Sequence, residues 1–438
     1  MRNLIIIVIV VALIAGIIFW RFGDAIMNSV NKPNPENEQV ILTWWGLFDE
    51  EQVYRTVIAT YEQDHPNVKI VYSKESTLNY RPRLQTQLRA GQGPDIFMIH
   101  SSWVPMFAGD LAAAPETIFP TNSFVTAYYP IVKDNLVVAN RVYGIPMEVD
   151  GLGMYYNEDI LRFAGVDVPK TWQQFLDAAR KLTVKNDKGQ IQTAGASLGT
   201  ASNVDDWPEI LGLLFLQQPS TSLASPGSKG GVDVIRFYTS FIIDPQNKTW
   251  DVTLPNSTQM FIDGKLAFYF ADSKKAAEIQ SANPNLKFKV APVPQLPGGE
   301  TNWGGFWDYS VSTKQTYTEA WKFLQYLSTP QAMQVLYQQK TQNQLVGDAF
   351  PRRDMADLLV NDPILGAYVS EAPTMKGWFL NSKIKDAGIN DEVISLYGKA
   401  VNDVLSGSSP EQALQGMDVK IKVIIDKYTK APTPTIKK

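Results

Sequence analysis

The chain has 438 residues with a formal net charge of −4, no cysteine and two histidines, beside 11 Trp, 18 Tyr and 20 Phe. Disulfides and thiolate nucleophiles are excluded outright, and a zinc site or Ser/His triad would depend on His65 or His100, which stand in unrelated contexts with no G-x-S-x-G elbow. The mildly acidic balance offers no basic surface for phosphate backbones, so nucleic acid is not an expected partner, and the length predicts roughly two to three domains.

Leu4 to Trp20 is apolar apart from Gly16, about 26 Å of helix at 1.5 Å per residue, close to the thickness of a bilayer core. Residues 1–23 are therefore expected to form an N-terminal transmembrane helix. Trp20, Arg21 and Phe22 stand where a cleavable signal peptide, the alternative reading, would carry small residues. Arg2 and the α-amine on one side nearly balance Arg21 and Lys32 on the other, so charge does not fix the orientation. Residues 24–38 include the polar, proline-interrupted NKPNPENE and read as a flexible linker, and 431–438 as a disordered tail.

The body begins near Val40 with alternating strands and helices. Val40 to Trp44 is a β-rich run; Glu51 to Tyr61 carries Val53, Val57, Ile58 and Tyr61 at helical spacing; Val68 to Tyr72 is strand-like. A second helix places Tyr80, Leu84 and Leu88 on one face, with Gly91 as its stop signal, and Ile96 to Ile99 is an apolar strand. Strand, helix, strand, helix, strand implies a parallel sheet, and such sheets bind ligands beyond the carboxyl ends of their strands. That rule points at Trp44, Trp45, His100, Ser101, Ser102 and Trp103. Further on, Gly153 to Asn157 is strand-like, and Thr171 with Gln174 opens a helix whose Trp172, Phe175, Leu176, Ala179 and Leu182 share a face. Residues 217–231 read as a surface loop, and helices are expected at Thr318 to Leu327 and Pro330 to Gln339. Trp172 and Trp321 lie on helix faces and are assigned to packing.

Seven segments in this order, ILTWWGLFDEEQVYRTVIATYEQDHPNVKIVY, AGQGPDIFMIHSSWVPMFAGDLAA, VYGIPMEVDGLGMYYNEDIL, VPKTWQQFLDAARKLT, FIDGKLAFYF, FKVAPVPQLPGG and AWKFLQYLSTPQAMQ, make the chain from Val40 to Tyr428 resemble the extracellular solute-binding proteins of carbohydrate ABC importers, the group of maltose- and trehalose-binding proteins. The resemblance implies an α/β fold of the two-lobe periplasmic-binding-protein type, each lobe a mainly parallel sheet flanked by helices, joined by a multi-stranded hinge. Lobe one is expected to span 38–149 plus 310–330 and lobe two 150–309 plus 331–430. The crossings fall near Val149 to Gly153, Trp307 to Ser312 and Ser328 to Gln331. It also implies a monomeric, non-catalytic receptor without cofactor or metal, which captures a sugar by hinge closure and delivers it to a permease. The folded part would face the extracytoplasmic side. With no cysteine to carry a lipid, the N-terminal helix is the visible attachment.

A pyranose presents an apolar C–H face and an edge of hydroxyls, so its site needs flat rings and carboxylates or amides. By the resemblance, Asp150 takes the place of a hinge carboxylate, and Glu148 lies two residues away on the same side of an extended segment. His100 stands where relatives often carry an aspartate. Trp303, Trp307 and Trp378 fall in segments that supply stacking rings. Asn203 and Trp207, in ASNVDDWPEI, are ligand candidates or simply cap a helix, and each Trp has core packing as its alternative. Two rival functions remain open: a glycoside hydrolase using Glu148 and Asp150, and the same fold binding a peptide, polyamine or ferric ion, the last suggested only by the Tyr155–Tyr156 pair.

Overall fold

The computed structural model describes residues 39–343, 346–382 and 385–429. The expected anchor at 1–23, linker at 24–38 and tail at 431–438 lie outside the described residues. Among those described, no helix is long and apolar enough to cross a membrane.

The first strands form where the alternation predicts them: β1 (Val40–Gly46), β2 (Val68–Lys74) and β3 (Ile96–His100), with helices Glu51–Asp64 and Tyr80–Arg89 between them. Gly91 follows the second helix at φ 71°, a left-handed position that costs glycine nothing. A short hairpin of β4 (Val137–Val138) and β5 (Arg141–Val142) precedes β6 (Ile145–Pro146). The chain then runs through β7 (Asp150–Gly151) into β8 (Gly153–Asn157), β9 (Val184–Lys185), β10 (Ile191–Ala196), β11 (Leu266–Ala271) and β12 (Phe288–Ala291). It returns through β13 (Asn302–Gly305) to β14 (Trp307–Val311), and β15 (Met375–Lys376) comes last. The helix Trp172–Leu182 starts at the expected capping box, with Thr171 and Gln174 each satisfying the other's backbone N–H. The expected loop at 217–231 yields the helix Lys229–Ile243 at its end, capped by the Ser228 hydroxyl.

Among the described residues, three sheets organise these strands apart from the β4–β5 hairpin. The first has the order β2-β1-β3-β14-β6, the second β12-β8-β11-β10-β9, and a small sheet β15-β13-β7 lies on the route between them. The chain passes from the first sheet to the second through β7 and back through β13.

The expectation of mainly parallel sheets needs correction. In the first sheet β1 is parallel to β2 and β3, whereas β14 runs antiparallel to β3 and β6. In the second only β10 and β11 are parallel, while β8 is antiparallel to both β11 and β12. Strand–helix alternation implies parallel pairing only between strands adjacent in both sequence and space. Here β8 is flanked by two strands that arrive more than a hundred residues later, and β14 joins the first sheet on its return.

A second correction concerns the third crossing. Helix Pro330–Asn343 packs on helix Glu51–Asp64, and its Lys340 reaches Asp49 at 2.9 Å. This helix therefore stays with the first sheet, and the chain leaves that side only before the helix Leu365–Glu371, which packs on β12. Thr329 and Pro330 stop one helix and start the next without moving the chain away.

Candidate functional site

A cavity of about 540 Å³ opens between the two large sheets, with the small sheet as its floor, within the range of sites that enclose a small organic ligand. From the first sheet come Phe48 after β1, His100 at the end of β3 and Trp307 at the start of β14. Asp150, Trp303 and Gly305 come from the small sheet, and Glu148 precedes it. The second-sheet side supplies Asp205, Asp206 and Glu209, Thr258 and Gln259, and the run Asp272, Lys274 and Lys275 directly after β11.

The rings are held by one another. Trp307 meets Phe48, His100 and Trp103 edge-on, with centroids 5.1, 5.3 and 5.2 Å away. Trp303 is only 2% exposed, and its ring lies so close to Gly212 of the helix Trp207–Gln217 that a Cβ there would collide with it. Phe48 is 37% exposed and gives the cavity its most open ring. His100 Nδ1 accepts from the Ser102 backbone N–H at 3.2 Å and lies 2.7 Å from the Ser102 hydroxyl. That pattern leaves the ring proton on Nε2, beside Gly305 in the cavity wall.

The carboxylates are held by donors of their own. Asp150 Oδ1 accepts from the Gly151 and Ser273 backbone N–H groups at 2.8 and 3.1 Å, and Oδ2 from the Ser273 hydroxyl at 3.0 Å. Burial and the Asp272 charge nevertheless push Asp150 up to about 7, against the pull of Lys274 and those hydrogen bonds. Glu148 accepts from Lys274 Nζ at 2.7 Å. Burial and Asp348 raise it to about 8 although Lys274 and Lys340 oppose them. Burial would raise Asp348 too, but Lys340, Lys274 and hydrogen bonds from Lys340 and Glu148 hold it below the usual carboxylate range. Asp205 Oδ2 accepts from the Ser257 hydroxyl and from the Thr258 N–H and hydroxyl, and Glu209 from the Ser382 N–H and hydroxyl.

Of the residues singled out in the sequence, Glu148, Asp150, His100, Trp303 and Trp307 line this cavity. The others do not. Trp44 is fully buried in the first-sheet core against Tyr54, Tyr72, Tyr309 and Phe323, because its side chain points to the face covered by the helices Glu51–Asp64 and Tyr317–Leu327. Trp45, on the opposite face, lies half-buried under the Arg83 guanidinium. Trp103 is 1% exposed behind Trp307. Asn203 spends its amide on the Asp251 and Leu254 carbonyls and on Trp250 Nε1 and Thr200, and Trp207 packs against Gly398. Trp378 stands half-buried beside Phe379, off the cavity wall. Tyr155 is buried with its hydroxyl on the Asp272 carbonyl, and no cluster able to hold a metal ion occurs among the described residues.

Sequence reading missed Phe48, the Asp205–Asp206 pair and the segment Asp272–Lys275. The rule that selected His100 beyond β3 would have selected the last of these beyond the apolar run Leu266–Ala271, had it been applied there.

Known proteins resemble the chain over nearly all of the described body. The maltodextrin-binding protein MdxE of Bacillus subtilis is 22% identical over 385 residues, covering 81% of this chain and 85% of that one. The melibiose/raffinose/stachyose-binding protein MelE of the same organism is 21% identical over 317 residues, 69% of this chain and 73% of that one. Among solved structures, the sugar-binding protein MalE of Xanthomonas citri superposes with a TM-score of 0.70 at 22% identity, covering 89% of this chain and 98% of that one. The family model of bacterial extracellular solute-binding proteins matches residues 43–334, and the chain belongs to that family.

Proposed function

We propose that the chain is a carbohydrate receptor of an ABC importer, which captures a sugar or short oligosaccharide between two lobes and releases it unchanged to a permease. The observation that carries this reading is the cavity itself: rings on one wall, carboxylates and hydroxyls on the other, as the two faces of a pyranose require. The names of MdxE and MelE support a sugar as cargo. Phe48 and Trp307 present apolar surface to the ring's C–H face; Asp150 and Glu148 accept from its hydroxyls, and His100 Nε2–H donates to one. Trp303 backs the floor.

In this reading lobe one comprises 38–149 and 307–364, lobe two comprises 152–301 and the remainder to 430, and β7, β13 and β15 form the hinge. Closure is a population shift, driven by a ligand that touches both lobes. The family sets the folded part on the extracytoplasmic side, and the apolar segment Leu4–Trp20 tethers it as a monomer near its permease, which raises the effective concentration at the docking site.

Isothermal calorimetry of the full-length protein against maltose, maltotriose, maltotetraose, melibiose, raffinose and stachyose tests the reading. We expect one of them to bind with at least micromolar affinity, about 8 kcal/mol, and to change the tryptophan fluorescence. No heat and no spectral change with any of them would refute it. Chromatography of the recovered sugar is expected to show it intact, since Glu148 and Asp150 are already engaged with Lys274 and Ser273.

A further inference from the structure

Lys274 follows directly on β11 of the second sheet, yet its ammonium group is engaged on the other side of the cleft. Nζ donates to Glu148 Oε1 at 2.7 Å and lies 5.0 Å from the centroid of the Phe48 ring. Glu148 follows β6, and Phe48 follows β1, both strands of the first sheet. The Glu148 side chain is 8% exposed and that of Lys274 43%. One partner is thus a fixed, enclosed carboxylate and the other a long arm reaching in from the edge.

Local structure gives no reason for a lysine here. Lys274 is the N-cap of the helix Lys275–Ala282, where a cation opposes the helix dipole and a capping side chain would accept rather than donate. The carboxylate it reaches is in turn fixed from the first-sheet side, because Lys340 holds Asp49 and Asp348, and Asp348 shares a hydrogen bond with Glu148. Separation of the two sheets about β7 and β13 draws the Lys274 backbone away from Glu148 and Phe48 and so works against both the ion pair and the cation–π contact.

We infer that Lys274 is a positioning residue of the cleft, which ties the second lobe to Glu148 and Phe48 of the first and thereby favours the closed arrangement before any ligand is bound. The inference rests on the reading of this cleft as a ligand site between two mobile lobes. The tie contributes only in the closed form, so it lowers the cost of closure that a ligand would otherwise have to supply in full. It also keeps Glu148 and Phe48 aligned with the second-sheet wall. A partly exposed ion pair and a cation–π contact together set the closed-to-open ratio by about five- to tenfold.

The absence of cysteine permits a direct test. Full-length protein carrying Arg55→Cys on the first-sheet side and Lys188→Cys on the second-sheet side is labelled for single-molecule energy transfer, and the interlobe distance is recorded without sugar at pH 9, where Glu148, pushed up to about 8, is ionised and pairs with Lys274. In that background Lys274→Met, which removes both contacts, is expected to lower the closed-to-open ratio about five- to tenfold, and Glu148→Gln, which leaves the contact with Phe48, about two- to fivefold. The double variant should fall no further than Lys274→Met alone, and Lys274→Arg should restore the wild-type distribution. An unchanged distribution in Lys274→Met, a shift toward closure, or full additivity in the double variant would overturn the inference. Should Lys274→Met fail to fold by circular dichroism, the wild type in 1 M NaCl and the Glu148→Gln variant decide in its place, with a shift of about two- to fivefold expected. Maltotetraose and raffinose added to the wild type separate the two readings. If neither moves the distance, the sugar-receptor reading fails, whereas a sugar-induced closure with no Lys274 effect removes only the tie.

Discussion

Along its first-sheet side the cleft meets rings, Phe48, Trp307 and His100, wedged edge to face against one another and against Trp103. Along its second-sheet side it meets carboxylates and hydroxyls, Asp205 with Thr258 and Glu209 with Ser382, each locked by hydrogen bonds. The two walls are fixed in place by different physics. Ring packing holds aromatic surfaces at little entropic cost when a ligand arrives, while the acids are oriented by donors from their own backbone and hydroxyl neighbours. The polar wall is therefore preorganised but also partly satisfied. Asp150 has already filled three of roughly four acceptor positions, so a ligand hydroxyl must add to that set or displace Ser273.

This contrast can be broken or sharpened by substitution. The largest effect is expected on the aromatic side: Phe48→Ala should weaken binding of the preferred sugar by about thirtyfold, about 2 kcal/mol, with little change in melting temperature because the ring is 37% exposed. Wild-type affinity by calorimetry would show that this ring faces solvent in the complex. Asp150→Ala should weaken binding about tenfold, about 1.4 kcal/mol, and also lower the melting temperature, since the Ser273 N–H and hydroxyl lose their acceptor. A loss of stability with affinity intact would assign Asp150 to the fold alone.

A third effect is read in pH. The folded state holds the Glu148 proton up to about 8, whereas an unperturbed glutamate releases it near 4.5. The folded chain then binds more protons than the unfolded one across that window, and stability falls as pH rises through it. Glu148→Gln should flatten the decline in melting temperature between pH 5 and pH 8 by roughly 2 °C; an unchanged slope in calorimetric scans would contradict the shift. The smallest effect is expected at Trp378. Its ring lies off the cavity wall, so Trp378→Ala should change affinity less than about twofold, and a larger loss would mean that the segment around it swings into the cleft on binding.

Much of the fold was legible because it rests on local rules. Helix Trp172–Leu182 announces itself by Thr171 and Gln174, and β3 by an apolar run behind Gly93-Pro94-Asp95. Strand direction was not legible, since the neighbours of β8 come from far along the chain. Of the cavity lining, Asp150 was reached through the resemblance, Glu148 as its neighbour two residues away, and His100 because an apolar strand ended on a polar residue. For tryptophans only the resemblance helped, pointing to Trp303 and Trp307 on the cavity and to Trp378 off it, while local pattern did not. Trp44, Trp45, Trp103 and Trp307 share the same residue type and similar strand-end placement, yet only Trp307 reaches the cavity, because the face to which each ring points depends on strand pairing.

The sequence by itself determined the chemistry this protein can and cannot perform: without cysteine and with two histidines, its resources are rings and carboxylates. It also determined most element positions, through periodicity and caps that act over a few residues. Only the tertiary structure decided which rings open onto the cleft and which acids already have partners. It also brought a lysine after β11 to a glutamate after β6, residues 126 positions apart. Such placements depend on pairing between distant strands, whose register no local pattern encodes.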